Sequence, residues 1–227
     1  MKKFTLSIII FFLTITNSFT HVNHYDKFNS LEYNLYRNNK LIGSHTYNFE
    51  RKADSFKVNS VVNFKITKLG VDLYKYHAVS EETYKDGKLL NFTSKTKQNK
   101  KDRFVNINFI KEKDNFFIDG SSYKGSASKD FIVGTWWNHE IVKSKAQISA
   151  VSGRIIEQKV TFLGKEKITI DGKEFNALHF NFASSNPNLP KEKQLNTDIW
   201  YDENNFLWLK AAFDKTGYWE YRLKSSN

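Results

Sequence analysis

The sequence predicts an all-β protein with one strongly curved antiparallel sheet or open β-barrel and one or two short helices. Three observations lead to this fold class. Long segments alternate apolar and polar residues with the period of two that is typical of half-buried strands. Short polar turns separate these segments. Only one segment has a plausible helical pattern, and because no strand–helix–strand alternation appears, we do not expect a parallel sheet.

The first predicted strands form a hairpin, in which residues 31–37 and 41–50 flank the polar turn Asn38-Asn39-Lys40. Alternation places His45, Tyr47 and Phe49 on the apolar face of the second strand, together with Leu41 and Gly43. Residues 56–68 show the clearest alternation, and its apolar side carries Phe56, Val58, Ser60, Val62, Phe64 and Ile66. Each of these strands is therefore expected to bury one face.

Further strands are predicted at short intervals and are joined by turns rich in Asp, Asn and Gly. They cover residues 71–84, 88–97, 103–112, 115–120, 154–163, 166–171, 174–183, 196–202, 206–214 and 217–224. Consecutive strands joined in this way form a meander.

Two segments interrupt the meander, and both are candidates to cover an opening of the sheet. Residues 126–149 are apolar without alternation, so we expect a short helical plug near residues 126–146. Residues 186–195 contain both prolines and predict a long loop. With so few helices, a wide sheet must curl to cover its apolar face. Side chains alone can fill the interior of a barrel of roughly eight strands. A curled sheet of about ten to twelve strands is wider, so we expect it to leave a cavity.

The first twenty residues have the three parts of a signal peptide: Lys2 and Lys3, an apolar run, and a polar end of small residues. We therefore expect a signal peptide at residues 1–20 and one periplasmic, soluble β domain at residues 21–227. Cleavage after Ser18 and an uncleaved membrane anchor remain alternatives. The chain has no cysteine, so it can form neither a disulfide nor the lipid attachment of a lipoprotein.

Four short motifs resemble a family of exported bacterial proteins that is known only as a domain of unknown function. They are the opening segment at residues 33–49, Gly134-Thr-Trp-Trp-Asn138, the turn at residues 170–177, and Asp198-Ile-Trp-Tyr-Asp202. The resemblance spans most of the mature chain. It implies a β-rich open barrel somewhat like that of periplasmic lipoprotein carriers, and it implies no activity.

The sequence contains no catalytic, metal or cofactor motif, so we expect a protein that is not an enzyme and binds no cofactor. His139-Glu140 begins like a zinc-protease helix, but Lys143 stands where the second histidine ligand is needed. Asp198 and Asp202 lie four residues apart on one strand, about 13 Å, which is wider than glycosidase carboxylates require. The formal charge of +11 suits anionic surfaces, but the signature of a nucleic-acid-binding protein is missing.

The expected function is the binding of a hydrophobic or amphipathic envelope ligand, such as a lipid or acyl chain. The candidate ligand-binding residues are Trp136, Trp137, His45 and Tyr47. Each has a structural alternative, since the rings could fill the core and His45 could be a buried histidine with one partner. Lysines and an arginine at residues 95–103 could contact an anionic membrane, although a solvated hairpin tip is favoured. An envelope protein-interaction or structural module with a filled core is the second function class, and a hydrolase is the third.

Overall fold

The computed structural model describes Tyr25, residues 27–52 and residues 54–227. The expected signal peptide lies outside these residues. Within the described part, fifteen strands form one sheet, and the helical elements are short 3₁₀ turns. The predicted fold class, a strongly curved and almost entirely antiparallel sheet, is therefore confirmed. No helix in this part of the chain is long and apolar enough to cross a membrane.

The strands are β1 Ser30–Arg37, β2 Lys40–Lys52, β3 Ser55–Lys68, β4 Val71–Lys85, β5 Lys88–Gln98, β6 Lys101–Ile110, β7 Asn115–Gly120, β8 Tyr123–Ser128, β9 Ile132–Val133, β10 Ala146–Ile148, β11 Ile155–Ile170, β12 Lys173–Ser184, β13 Asn196–Asp202, β14 Trp208–Asp214 and β15 Tyr218–Ser226. The 3₁₀ turns are Lys111–Lys113, His139–Lys143 and Lys191–Lys193. The strand order is β8-β7-β6-β5-β4-β3-β2-β1-β15-β14-β13-β12-β11-β10-β9.

The two edge strands of the sheet, β8 and β9, are neighbours in sequence. Only residues 129–131 separate them, so their facing ends can be at most about 14 Å apart. The sheet therefore curls until its edges approach each other. The backbone N–H of Ser122 donates to the carbonyl of Ser152 at 2.9 Å across this seam. A Cβ atom on Gly120 would lie 2.7 Å from the same carbonyl, which explains why glycine stands there.

Three expectations about strands need correction. The predicted strands 154–163 and 166–171 are one strand, β11, which continues through a bulge between Phe162 and Gly164. Residues 126–149 hold the end of β8, both short strands β9 and β10, and a single 3₁₀ turn instead of a helical plug. The total of fifteen strands in the described part also exceeds the expected ten to twelve, because β8, β9 and β10 carry no alternation that is long enough to recognise.

The predicted faces of β2 and β3 are correct over most of their length. Tyr47, Phe49 and Val58 are buried, whereas Asn63 is exposed. Leu41 is the exception, since it was expected inside and is exposed. Between β1 and β2 the register shifts, because Gly43 faces Leu35 and Leu41 faces Tyr36. Because of this one-residue bulge, the side chains at the start of β2 point to the opposite face from the one that simple alternation predicts.

Candidate functional site

A cavity lies against the concave face of the sheet, between strands β3–β5 and the segment that follows β9. Its volume is about 280 Å³. The cavity exists because small side chains stand opposite one another there: Ser60, Ser80 and Ser94 form one cross-strand row on β3, β4 and β5. In the next row, His45 and Val62 are followed by Ala78 and Thr96. Elsewhere the interior is filled by large aromatic rings.

The wall of the cavity is amphipathic. Hydroxyl and amide groups come from the serine row, Thr96, Thr135, Ser149 and Gln147, and apolar surface comes from Val62, Ala78, Ala150, Val151, Ile156, Leu195, Trp136 and Tyr221. Both segments that interrupt the predicted meander contribute to it. Trp136 belongs to the first segment, and Leu195 belongs to the proline-containing loop.

His45 lies on the cavity wall and is neutral. Its Nε2 lies 3.0 Å from Ser60 Oγ, and its Nδ1 is buried without a hydrogen-bond partner among the described residues. The ring packs against Tyr47 at 4.2 Å between centroids. Burial lowers the pKa of His45 to about 3. The imidazole therefore offers a hydrogen-bonding nitrogen at neutral pH but no charge.

Trp136 lies on the same wall because of a strained turn. The N–H of Trp137 donates to the carbonyl of Thr135 at 2.8 Å, and Trp136 between them has a φ of 62°. A hydrogen bond from residue i+2 to residue i around a positive φ marks a γ-turn of the rare, strained kind. The indole ring contacts Trp208 and Tyr221 at 5.5 and 5.4 Å between centroids. Its Nε1–H has no acceptor within the described part of the chain.

Trp137, the other side of this turn, belongs to the core. It is 1% exposed, and its ring contacts those of Tyr25, Phe49, Phe56 and Tyr84. Its Nε1–H donates to Glu82 Oε1 at 2.9 Å. The hydroxyl of Tyr84 donates to Glu82 Oε2 at 2.5 Å. Burial raises the pKa of the Glu82 carboxyl, and these hydrogen bonds partly oppose the effect.

Tyr47 lies behind the cavity wall. It is fully buried, and its hydroxyl donates to the carbonyl of Thr135, which anchors the strained turn to β2. The structure thus brings the four sequence-predicted residues into one region and divides them into two kinds. His45 and Trp136 line the cavity, while Tyr47 and Trp137 hold the lining residues in place.

His45 and Ser60 lie at the distance expected of a general base and its nucleophile. Whether they could act in this way depends on the basicity of His45 and on what orients its ring. A histidine with a pKa of about 3 is a weak base at neutral pH. No carboxylate of the described residues hydrogen-bonds its Nδ1 to orient the ring, as a catalytic triad requires. Among these residues, no group of three or more His, Asp or Glu side chains could hold a metal ion either. His45 and Ser60 thus form a hydrogen-bonded pair without a third, orienting carboxylate among the described residues.

A larger groove of about 620 Å³ lies at the other end of the sheet, between the turn at residues 85–88 and residues 129–133. Its rim carries paired charges, including the ion pair of Lys129 with Asp114. Its lining is rich in charged side chains, including Lys88 and Lys111, whereas the cavity at His45 is lined by no Lys, Arg, Asp or Glu of the described residues.

A curved, almost closed antiparallel sheet with a small internal cavity defines a barrel-like β protein. The chain belongs to a family described as a domain of unknown function (DUF6134), which matches residues 33–224. Family membership and fold confirm the resemblance that the motifs indicated. A search of curated proteins found no match.

The matches among solved structures include two proteins from other families of unknown function. One is a β-barrel-like protein of the DUF1849 family from Brucella abortus, with 12% sequence identity, coverage of 87% of this chain and 96% of that chain, and a TM-score of 0.59. The other is a DUF1329 family protein from Desulfovibrio piger, with 10% identity, coverage of 92% and 90%, and a TM-score of 0.20. The first likeness shows that the barrel-like fold is shared.

Sequence reasoning missed most of the cavity wall. Ser60 was placed on the inner face, but Ser80, Ser94, Thr96 and Gln147 were not recognised as candidates. Only the strand register could have found them, because a serine that faces inward looks the same in a sequence as one that faces solvent.

Proposed function

We propose that this protein is an exported envelope protein that binds a small amphipathic molecule in its interior cavity without catalysing a reaction. The proposed location outside the cytoplasm rests on the three-part N-terminal segment. The proposed binding role rests on the cavity wall.

The observation that carries the proposal is the amphipathic wall of the cavity, where the serine row lies beside the rings of His45 and Trp136. Both His45 and Trp136 contact Trp208 and Tyr221, so the two rings lie close together. A ligand whose polar part bonds to the serine row and whose apolar part covers Val62 and Ile156 matches this wall.

The volume of the cavity limits the ligand. A volume of about 280 Å³ lies just below the range for small-molecule sites, roughly 300–1,000 Å³. A small molecule or the end of one acyl chain fits this volume better than a whole lipid. Hydroxyl groups of the serine row favour a ligand with more than one polar atom.

The two other function classes have less support. A module with a filled core would need no cavity, and a hydrolase would need a stronger base than a histidine with a pKa of about 3.

Binding of the environment-sensitive dye N-phenyl-1-naphthylamine tests the proposal. Trp136→Ala removes a large apolar contact on the wall, so the dye should bind at least about tenfold more weakly, which corresponds to about 1.4 kcal/mol. His45→Gln should change the affinity for this apolar dye little. The control is Trp219→Ala, because Trp219 is also half-buried but lies outside the wall, against Phe64 and Phe213. Equal affinities of wild type and Trp136→Ala would contradict the proposal.

A further inference from the structure

The hairpin of β3 and β4 extends beyond its neighbour β5. The turn between β5 and β6 is fixed to Lys75, because Asn99 N donates to the Lys75 carbonyl at 2.8 Å and Lys75 N donates to Asn99 Oδ1 at 2.7 Å. Gly70 in the hairpin turn lies five positions before Lys75 in the sequence. At about 3.3 Å per residue, the tip projects roughly 16 Å past the adjacent turn.

The projecting tip carries Leu69 and Val71, the two most exposed large apolar side chains of the described residues, together with Leu73. Leu69 is 95% exposed, Val71 is 62% exposed and Leu73 is 55% exposed. Single exposed leucines are common on protein surfaces, but a group of three at the end of a projecting hairpin is a mark of an interaction site.

Leu69 is also an unfavourable residue for its turn. It has a φ of 50°, in the left-handed region where Asn, Asp and Gly are favoured. The corresponding turns between β1 and β2, β4 and β5, β5 and β6, and β11 and β12 place Asn38, Asp86, Asn99 and Asp171 at positive φ. The β3–β4 turn alone among these five has an apolar residue there. An apolar residue that is almost fully exposed and stands at an unfavourable backbone angle is expected where function requires it.

The surroundings of the tip are strongly basic. Residues 65–75 and 95–103 contain eight basic and two acidic side chains. Asp72, one of the two acids, is bound to Lys75 at 3.1 Å and accepts from the Thr67 hydroxyl at 2.8 Å. Seven of the eight basic residues are lysines, a residue type that protein–protein interfaces avoid. Basic side chains around an apolar tip suit the interface of an anionic bilayer.

From these observations we infer that the tip of the β3–β4 hairpin is a membrane-docking element that inserts Leu69, Val71 and Leu73 into an anionic lipid surface, with the surrounding lysines at the headgroups. The element is separate from the cavity, so it does not depend on the proposed ligand-binding function. It would hold the protein at a membrane reversibly, since one small apolar tip and a basic patch give weak attachment.

Sedimentation with lipid vesicles tests this inference. The mature protein is mixed with vesicles of equal parts phosphatidylglycerol and phosphatidylcholine, and with vesicles of phosphatidylcholine alone. Wild type should bind the anionic vesicles at least tenfold more strongly than the neutral ones, and binding should weaken when salt is raised.

The decisive variant is Leu69→Asn, which restores the usual turn residue. It should weaken binding to anionic vesicles at least fivefold, while its melting temperature should equal or exceed that of wild type. The matched control is Leu163→Asn, since Leu163 is 53% exposed on β11 and should change binding less than twofold. Failure of wild type to bind anionic vesicles, equal binding of Leu69→Asn and wild type, or equal loss in the two variants would each overturn the inference.

Discussion

The adjacent tryptophans of the strained turn should respond very differently to substitution. Trp137→Ala removes a fully buried ring, which costs about 3–5 kcal/mol, and it takes the indole donor from Glu82, which adds about 1–3 kcal/mol. A loss of at least about 4 kcal/mol lowers the melting temperature by roughly 8–16 °C in a domain of this size. Trp136→Ala removes a half-buried ring from a cavity wall, so it should cost less than about 2 kcal/mol.

Thermal melts followed by circular dichroism measure this difference. If Trp137→Ala does not fold, Trp137→Phe replaces it, because it keeps an aromatic ring and loses the hydrogen bond to Glu82, for about 1–3 kcal/mol. Equal melting shifts for the Trp136 and Trp137 variants would refute the reasoning that the positive φ at Trp136 directs the two indoles to different environments.

Three further outcomes follow from burial and pKa. Burial lowers the pKa of His45 from 6.5 to about 3, so the unfolded chain binds a proton before the folded one and the free energy of unfolding falls as pH decreases, by about 2 kcal/mol between pH 6.5 and 4.5. Urea denaturation at the two pH values should show this loss in wild type and not in His45→Gln. Burial raises the pKa of Glu82, so the protonated carboxyl's contribution to the free energy of unfolding is fully present below pH 4.5 and is lost as pH rises through the pKa of the folded state. Glu82→Gln should remove this pH dependence from the free energy of unfolding. Val58→Asp places a charge in the core and should cost several kcal/mol, whereas Asn63→Asp on the exposed face should cost less than about 1 kcal/mol, as measured by the same denaturation assay.

The sequence predicts the parts of the fold that depend on local alternation. The alternation in β2 predicts that His45 and Tyr47 face inward, and both are buried in the structure. Leu41 is misplaced, since a bulge depends on pairing with β1 and leaves no local signal. The division of β11 at Gly164 is wrong for the same reason: glycine in an alternating run suggests a turn, but the partner strand β12 continues past it.

The site could be predicted only in part. Trp136 and Trp137 were recognised as a pair, but their separation into cavity wall and core depends on one backbone angle that composition does not reveal. The row of Ser60, Ser80 and Ser94 depends on the register of three strands. Small polar residues that face inward are therefore the hardest part of such a site to find in a sequence.

Native mass spectrometry of the protein purified from the cell envelope tests most directly whether the cavity holds a ligand. Wild type should carry a small molecule of reproducible mass that is released on unfolding. Ala78→Leu places a larger side chain into the cavity from β4, so this variant should fold and carry no such molecule. A wild-type mass equal to that of the polypeptide alone, or the same bound molecule in Ala78→Leu, would contradict the account.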